Sequence, residues 1–328
     1  MGEFDLIARY FTRPAGQAVL GVGDDCALLQ PRPGTQLAVS SDMLVEGRHF
    51  FADVNPFALG HKALAVNLSD LAACGAKPLA FTLALALPDI DEDWLAGFSK
   101  GLLALADAHG CELVGGDTTQ GPLNICITVF GEVPVVQGKS QALLRSGARA
   151  GDDVYVSGTL GDARLALEAL RGALALPPLM LAQSRLRLEQ PTPRVALGQA
   201  LRGIASAAID VSDGLLGDLR HILRASKTGA TLETALAINL VAACALPDWS
   251  AAGIDAEKQL EFALAGGDDY ELAFTAPASA REAVQAAARQ AQTPVTRIGR
   301  IDADPGLRLL DAAGAPMERH YASFDHFA

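Results

Sequence analysis

Aromatic residues are scarce, at 5% of 328 positions, so any core has to be built from Ala, Leu and Val. No apolar run reaches the roughly 18 residues that a membrane-spanning helix needs. The opening MGEFDLIARYF puts an acid where a secretory signal wants basic residues, and no long apolar stretch follows it. The five cysteines, at 26, 74, 111, 126 and 244, are odd in number and scattered, with no CxxC. That argues against a disulfide framework or a zinc ribbon and fits reduced thiols in a cytoplasmic protein. The six histidines form no HExxH or other paired-ligand spacing. Lys and Arg total 26 against 38 Asp and Glu, a net charge of −12. There is no basic stripe of the kind a general nucleic-acid binder shows.

What is present is an apolar half of the composition, ample for sizeable cores, and a length that suggests about two domains. The stretch His61 to Pro78, HKALAVNLSDLAACGAKP, anchors the reading. Leu64, Leu68, Leu71 and Cys74 recur at helical spacing, and Gly75 and Pro78 follow as stop signals, so a buried helix is expected. Between Lys62 and Lys77 its one charge is Asp70, with Asn67 three residues earlier on the same face. A buried carboxylate needs a partner, either a structural Lys or Arg or a bound cation.

Along the chain, 3–11 is expected as a short amphipathic helix and VLGVGDDCALL (19–29) as an apolar strand interrupted by Gly21, Gly23 and Asp24-Asp25. Its Gly-x-Gly does not make a dinucleotide fingerprint, because Cys26 stands at the third glycine position and no clear βαβ unit follows. LAVSSDMLVEGRHF (37–50) is a β-like run ending in Ser40-Ser41-Asp42, with Glu46, Arg48 and His49 at a tip. A helix over 57–74, a strand over 79–88, a helix over 93–109, a strand over 111–122 reaching Gly115-Gly116-Asp117, and a strand over 124–134 follow. The Gly-containing, basic stretch 135–152 is the expected junction. It divides the chain into a domain over 1–137, a junction over 138–147 and a domain over 148–328. Gly138-Lys139-Ser140 is not a P-loop, since Val133 occupies the required earlier glycine position. Arg145 and Arg149 in this segment suit a phosphate clamp or a solvated linker equally well.

In the second half, 153–163 is a strand, a turn and a helix start, and SAAIDVSDGLLGDLRHILRAS (206–226) is a strand, a turn at Ser212-Asp213-Gly214 and a helix with an apolar stripe. Asp210 and Asp213 thus sit where ions and phosphates are readily bound. EFALAGGDDYELAFTAP (261–277) is expected as strand, turn and strand with Gly266-Gly267-Asp268-Asp269 at the bend. A Gly or Ser next to Asp after an apolar run recurs at 23–25, 40–42, 69–70, 115–117, 212–213 and 266–269. One such turn is a commonplace hairpin or helix cap. Their repetition points to divalent-metal phosphate chemistry, because Mg²⁺ is held by a few carboxylates together with substrate phosphates. The absence of an evident His or Cys nucleophile suits phosphoryl transfer, which rests on positioning and electrostatics.

GEFDLIARYF, VGDDCALL, SSDMLVEGRHF, ALAVNLSDLAACGAKP, GGDTTQGP, Arg145-Ser146-Gly147, IDVSDGLLGDL, GGDDYEL and the closing FDHF, in that order, resemble the thiamine-monophosphate kinase family from residue 2 to 327. That family lies in the aminoimidazole ribonucleotide synthetase superfamily. The resemblance implies an α+β, two-domain ATP-binding fold whose N-terminal sheet domain binds ATP and Mg²⁺ and forms a homodimer, followed by a C-terminal α/β domain. It implies transfer of a phosphoryl group from ATP to thiamine monophosphate with several Mg²⁺ ions. Carried over position by position, it implies Asp25, Ser40, Ser41, Asp42, Asp70, Asp117, Asp210 and Asp213 as metal ligands. Gly116, Asp117, Arg145 and Ser212 are implied as ATP contacts, and His49, Asp268 and Tyr321 as thiamine-phosphate contacts. The family's GGED turn is GGDD here, and Tyr321 stands where Trp is common. A phosphate monoester ionises with a second pKa near ~6, so in-line attack needs no general base and no catalytic proton acceptor is expected.

Other enzymes of the superfamily, and a nucleotide-binding protein without turnover, are the alternatives. Selenophosphate synthetase wants a reactive residue near the N-terminus, where the earliest cysteine, Cys26, lies in an apolar run. The hydrogenase-maturation relative ends in a functional cysteine, whereas this sequence ends in Phe327-Ala328.

Overall fold

Helix α1 (Glu3–Tyr10) opens the chain, with Glu3 and Asp5 in its first turn and Leu6 turned inward. The computed structural model describes residues 2–318 and Tyr321; the FDHF motif lies outside the described residues. The chain divides into two units, one running to Leu71 and taking Ala76–Gln141, the other taking Ala72–Gly75 and the chain from Ala142 on.

After α1 the first unit holds β1 (Thr35–Val45), α2 (Pro56–Ala73, its last two residues assigned to the second unit), β2 (Lys77–Leu87), α3 (Glu92–His109), β3 (Glu112–Gln120), β4 (Asn124–Val136) and the short β5 (Lys139–Ser140). The sheet order is β1-β4-β2-β3, with β5 paired to β4. β2 and β3 run parallel, joined through α3, and the β1–β4 and β2–β4 pairs are antiparallel. Alternation fixes the faces. Ile125, Ile127 and Val129 of β4 are buried, as are Phe81, Leu83 and Leu85 of β2, while Leu37, Val39 and Met43 of β1 are exposed. Helix α2 is buried at Leu64, Leu68 and Leu71 and ends at Gly75, whose φ is +68°. Helix α3 starts on Asp91, which accepts the N–H groups of Asp93 and Trp94, and ends on left-handed Gly110.

The second unit runs β6 (Asp152–Ser157), α4 (Asp162–Leu170), α5 (Pro178–Glu189), α6 (Val195–Ala200), β7 (Ala207–Val211), α7 (Leu215–Ser226), β8 (Gly229–Glu233), α8 (Thr234–Ala237), α9 (Ala256–Ala265), β9 (Glu271–Pro277), α10 (Arg281–Gln290), β10 (Val295–Asp302) and β11 (Gly306–Leu310). Its sheet order is β11-β8-β10-β6-β9-β7, parallel only at β8–β11. Val154, Val156, Ile209, Val211 and Ala273 of the strands pack with Leu215, Leu216, Leu219 and Ile222 of α7 in one apolar cluster.

Two segments differ from the sequence expectation. Residues 19–29 form no strand; Leu20 and Leu28 make a single antiparallel bridge that closes a loop around Asp24 and Asp25. Residues 261–265 belong to helix α9, because Asp255 caps it by accepting the Lys258 N–H and Ala, Lys and Gln favour helix over this run. The acids are also less uniformly at turns than the pattern suggests. Ser40-Ser41-Asp42 and Asp117 lie inside β1 and β3, and Asp70 inside α2. Among the described residues no helix is long and apolar enough to cross a membrane.

Candidate functional site

In the first unit, β1 and α2 meet through polar groups. Asn67, almost fully buried, accepts the Asp42 backbone N–H through Oδ1 at 3.0 Å and donates from Nδ2 to the Ala63 carbonyl. One turn on, Asp70 accepts the Ser40 hydroxyl. The i, i+3 spacing on the helix thus matches the i, i+2 spacing on the strand, and Asp70 has a hydroxyl as one of its partners. Ser41 points to the other face, where its Oγ lies 3.0 Å from Thr128 Oγ1 and donates to the Ile127 carbonyl. His49 Nδ1 accepts the Val45 N–H at 3.0 Å, which leaves the proton of a neutral ring on Nε2.

Asp25 is exposed at the tip of the 20–28 loop, its N–H donating to Asp24 Oδ1. Asp117 is exposed on β3, opposite Ala84 of β2. Gly116 beside it has a φ of +151°, and a Cβ there would stand 1.8 Å from the Leu83 carbonyl oxygen. Only glycine fits, and the backbone before Asp117 is thereby drawn against β2.

In the second unit, β7 delivers Asp210, which is 7% exposed, and the turn after it carries Ser212 and Asp213. Asp218, one turn into α7, reaches back to accept the N–H groups of Ser212 at 3.0 Å and Asp213 at 3.1 Å. Burial, with the Asp213 charge adding to it, pushes the Asp218 carboxyl up to about 7. The Gly266-Gly267-Asp268-Asp269 loop lies against the same turn: Asp268 N–H donates to the Ser212 carbonyl and Tyr270 N–H to the Val211 carbonyl. A Cβ on Gly267 would stand 2.5 Å from the Ser212 oxygen.

The paired acids of that loop part company. Asp268 is half-buried in the left-handed region, with φ +65°. Asp269 is fully buried and accepts the Gly161 N–H with both oxygens. Burial drives its carboxyl well above the ordinary range despite that bond. Beneath it Glu271 accepts Arg187 at 2.8 Å, Arg194 at 2.6 Å and the Ser157 hydroxyl. Arg145 is exposed on a segment pinned by Ser226, whose Oγ donates to the Arg145 carbonyl and accepts the N–H groups of Gly147 and Ala148. Burial, then the Arg145 and Arg224 charges, lower the His221 pKa, while Asp213 opposes them. Tyr321 is 6% exposed and packs in the main apolar cluster of this unit.

Every expected metal ligand offers oxygen, and none offers nitrogen or sulfur, which is the donor chemistry of a hard cation such as Mg²⁺. Among the described residues no group of three His, Cys, Asp or Glu side chains converges into a cage. Mg²⁺ does not require one, since it keeps waters and completes its shell with substrate phosphates. The residues fit it on those terms. Sequence reasoning missed Asp218, Ser226 and the Asp269–Glu271 network. The i+5 and i+6 spacing of Asp218 from the turn it caps was the available signal; the other partners come from distant parts of the chain.

The fold and these acid-bearing turns define a protein of the AIR synthase related class: residues 23–133 match its N-terminal domain and 149–312 its C-terminal domain. Within it, the chain is 46% identical to the thiamine-monophosphate kinase of Salmonella typhimurium, covering 100% of this chain and 98% of that one. It superposes with a TM-score of 0.81 on the crystal structure of thiamine-monophosphate kinase from Stenotrophomonas maltophilia, at 47% identity over 93% of this chain and 94% of that one. It also matches a structure described as AaThiL complexed with AMPPCP and TMP, with a TM-score of 0.73 and 29% identity over 90% and 89% of the two chains. The chain belongs to the thiamine-monophosphate kinase family.

Proposed function

We infer that this protein transfers the γ-phosphoryl group of ATP to thiamine monophosphate, giving thiamine diphosphate and ADP by direct in-line displacement. The observation that carries this is full-length similarity to kinases of that name, with the acidic motifs held at the defined positions above. In the first unit, Mg²⁺ would be held by Asp25, Ser40, Asp42, Asp70 and Asp117, with Ser41, whose hydroxyl faces the other side of β1, limited to its main-chain oxygen, and in the second by Asp210 and Asp213. When bound, it neutralises phosphate charge. Gly116, Asp117, Arg145 and Ser212 are assigned to ATP. Gly116 brings backbone close, and Arg145 supplies a fork for phosphate oxygens. His49, with its proton on Nε2, is assigned to the acceptor's phosphate, and Asp268 and Tyr321 to the cationic thiazolium, Tyr321 from a place buried in the apolar cluster. The acceptor phosphate is already mostly ionised at neutral pH, given its second pKa near ~6, so no side chain has to remove a proton.

We also assign the exposed apolar face of β1 to a second copy of the chain, making a homodimer. The five free cysteines suit a reducing cytoplasm.

The test is ADP release from ATP and Mg²⁺ with thiamine monophosphate and then with thiamine, following thiamine diphosphate by chromatography. The expected result is one thiamine diphosphate per ADP from the monophosphate. Bound ATP with no diphosphate formed would overturn the assignment in favour of another superfamily substrate or of binding alone.

A further inference from the structure

The loop bearing Asp25 belongs to an irregular stretch between α1 and β1, and its backbone has few partners of its own. Such amides have to be satisfied from elsewhere. At the start of the stretch, Glu112 accepts three successive backbone N–H groups: Gly16, Gln17 at 3.0 Å and Ala18 at 2.8 Å. At its end, Glu132 accepts the Arg32 N–H and the Arg32 Nε, both at 2.6 Å. Between these points Ala18, Ala27 and Leu29 pack on Leu79, Ala80 and Val114. The Leu20–Leu28 bridge then closes the loop.

We propose that Glu112 and Glu132 are positioning residues that clamp the two ends of the 16–32 segment to the sheet and so fix where the Asp25 carboxylate stands for metal binding. This rests on Asp25 being a Mg²⁺ ligand. The geometry favours a clamp over incidental surface bonding. Both carboxylates sit on strands of the central sheet, and Glu132 is 3% exposed. Glu112 opens β3, the strand that carries Asp117 five residues later, so one rigid strand sets two of the expected ligands. Burial would raise both carboxyls, but the N–H groups they accept, with Arg32 for Glu132, hold them below the usual range. Both are therefore ionised at neutral pH and bind the amides as charged acceptors, the stronger form. Without the clamp the exposed tip, where a Cβ on Gly23 would meet nothing within 4 Å, has only the apolar seat, the Leu20–Leu28 bridge and the local Val22–Asp24 bridge to hold it.

The experiment uses the full chain, with Mn²⁺ as a spectroscopic probe of the metal sites and amide hydrogen exchange as a probe of the segment. Glu112→Ala is expected to weaken Mn²⁺ binding about tenfold, the range seen when outer-shell support is lost. It should also speed exchange over residues 16–32 while leaving α2 and α3 protected. Glu112→Gln, which keeps a carbonyl acceptor, should recover most of the binding; at the other end Glu132→Ala should weaken it and Glu132→Gln recover most of it. If Asp25→Asn weakens Mn²⁺ binding but Glu112→Ala and Glu132→Ala do not, the clamp is overturned. Loss of protection in α2 and α3 along with the loop would also overturn it, as general unfolding. If Asp25→Asn itself binds Mn²⁺ like the parent, the metal assignment of Asp25 falls instead. Should one of the two Ala variants not fold, the other, measured in the same way, decides.

Discussion

Asp268 and Asp269 are neighbours in sequence with identical side chains, yet one is half-buried on a left-handed backbone and the other is fully buried on the Gly161 N–H. Asp268→Asn, which tolerates the same left-handed backbone, is expected to raise the KM for thiamine monophosphate with the melting temperature nearly unchanged. Asp269→Ala orphans a buried N–H and is expected to cost about 1–3 kcal/mol of stability, read from denaturant unfolding. The motif picked out the pair as acids at a bend, but adjacency could not say which of them faces a ligand. That depends on Gly161 and Arg187 approaching from other elements. Asp153 shows the same dependence on distant partners. The Arg281 side chain donates to it at 2.6 and 2.9 Å and, ahead of the opposing effect of burial, holds its pKa below the usual range. A depressed carboxylate contributes stability above its unfolded pKa, and that contribution is lost as pH falls through the folded value. Asp153→Asn should therefore lower the melting temperature at pH 7, and the gap to the parent should close as the pH is taken below about 4.

At the scale of elements, periodicity located most helices and strands, because the apolar stripes of α2, α3 and α7 and the alternation of β4 are unambiguous. It failed at 261–265, where a short apolar run fits either state and the deciding cap, Asp255, lies six residues upstream. It also placed Ser40, Asp42 and Asp117 at strand ends, whereas the strands run on through Val45 and Gln120. Polar residues inside a strand are tolerated there because Asn67 and Asp70 of α2 meet those on β1, a pairing that only the packed structure shows. Gly116 was legible as a glycine beside an acid, but its cause, the approach to Leu83, was not. Gly116→Ala has to move either Leu83 or the β3 backbone, at about 1–3 kcal/mol for a non-glycine residue held in that region. The expected outcome is a lower melting temperature together with weaker binding of a non-hydrolysable ATP analogue. A variant that melts lower yet binds the analogue like the parent would show that Gly116 serves the sheet and not the nucleotide.

For the molecule as a whole, the order of the motifs, through the family they resemble, implied an α+β, two-domain fold, and the structure has one sheet in each unit. What they left open was which surface remains apolar after folding. β1 is an edge strand of 11 residues, and Leu37, Val39 and Met43, spaced by even numbers, are 45%, 56% and 52% exposed on one face. A long edge strand with an apolar face is an association hazard unless something covers it. Covering three such side chains contributes on the order of 1.5–3 kcal/mol each at full burial, less here because each is already partly shielded. A second copy presenting the same strand meets it with like residues and no charge mismatch, as a two-fold interface requires. Light scattering of the parent is then expected to give twice the 34.1 kDa chain mass. Val39→Lys with Met43→Lys should shift it to the single-chain value with an unchanged circular-dichroism spectrum, because both positions lie on the face opposite Ser40 and Asp42. A parent that scatters as a single chain at micromolar concentration would remove the dimer and leave that face to be covered by some other partner.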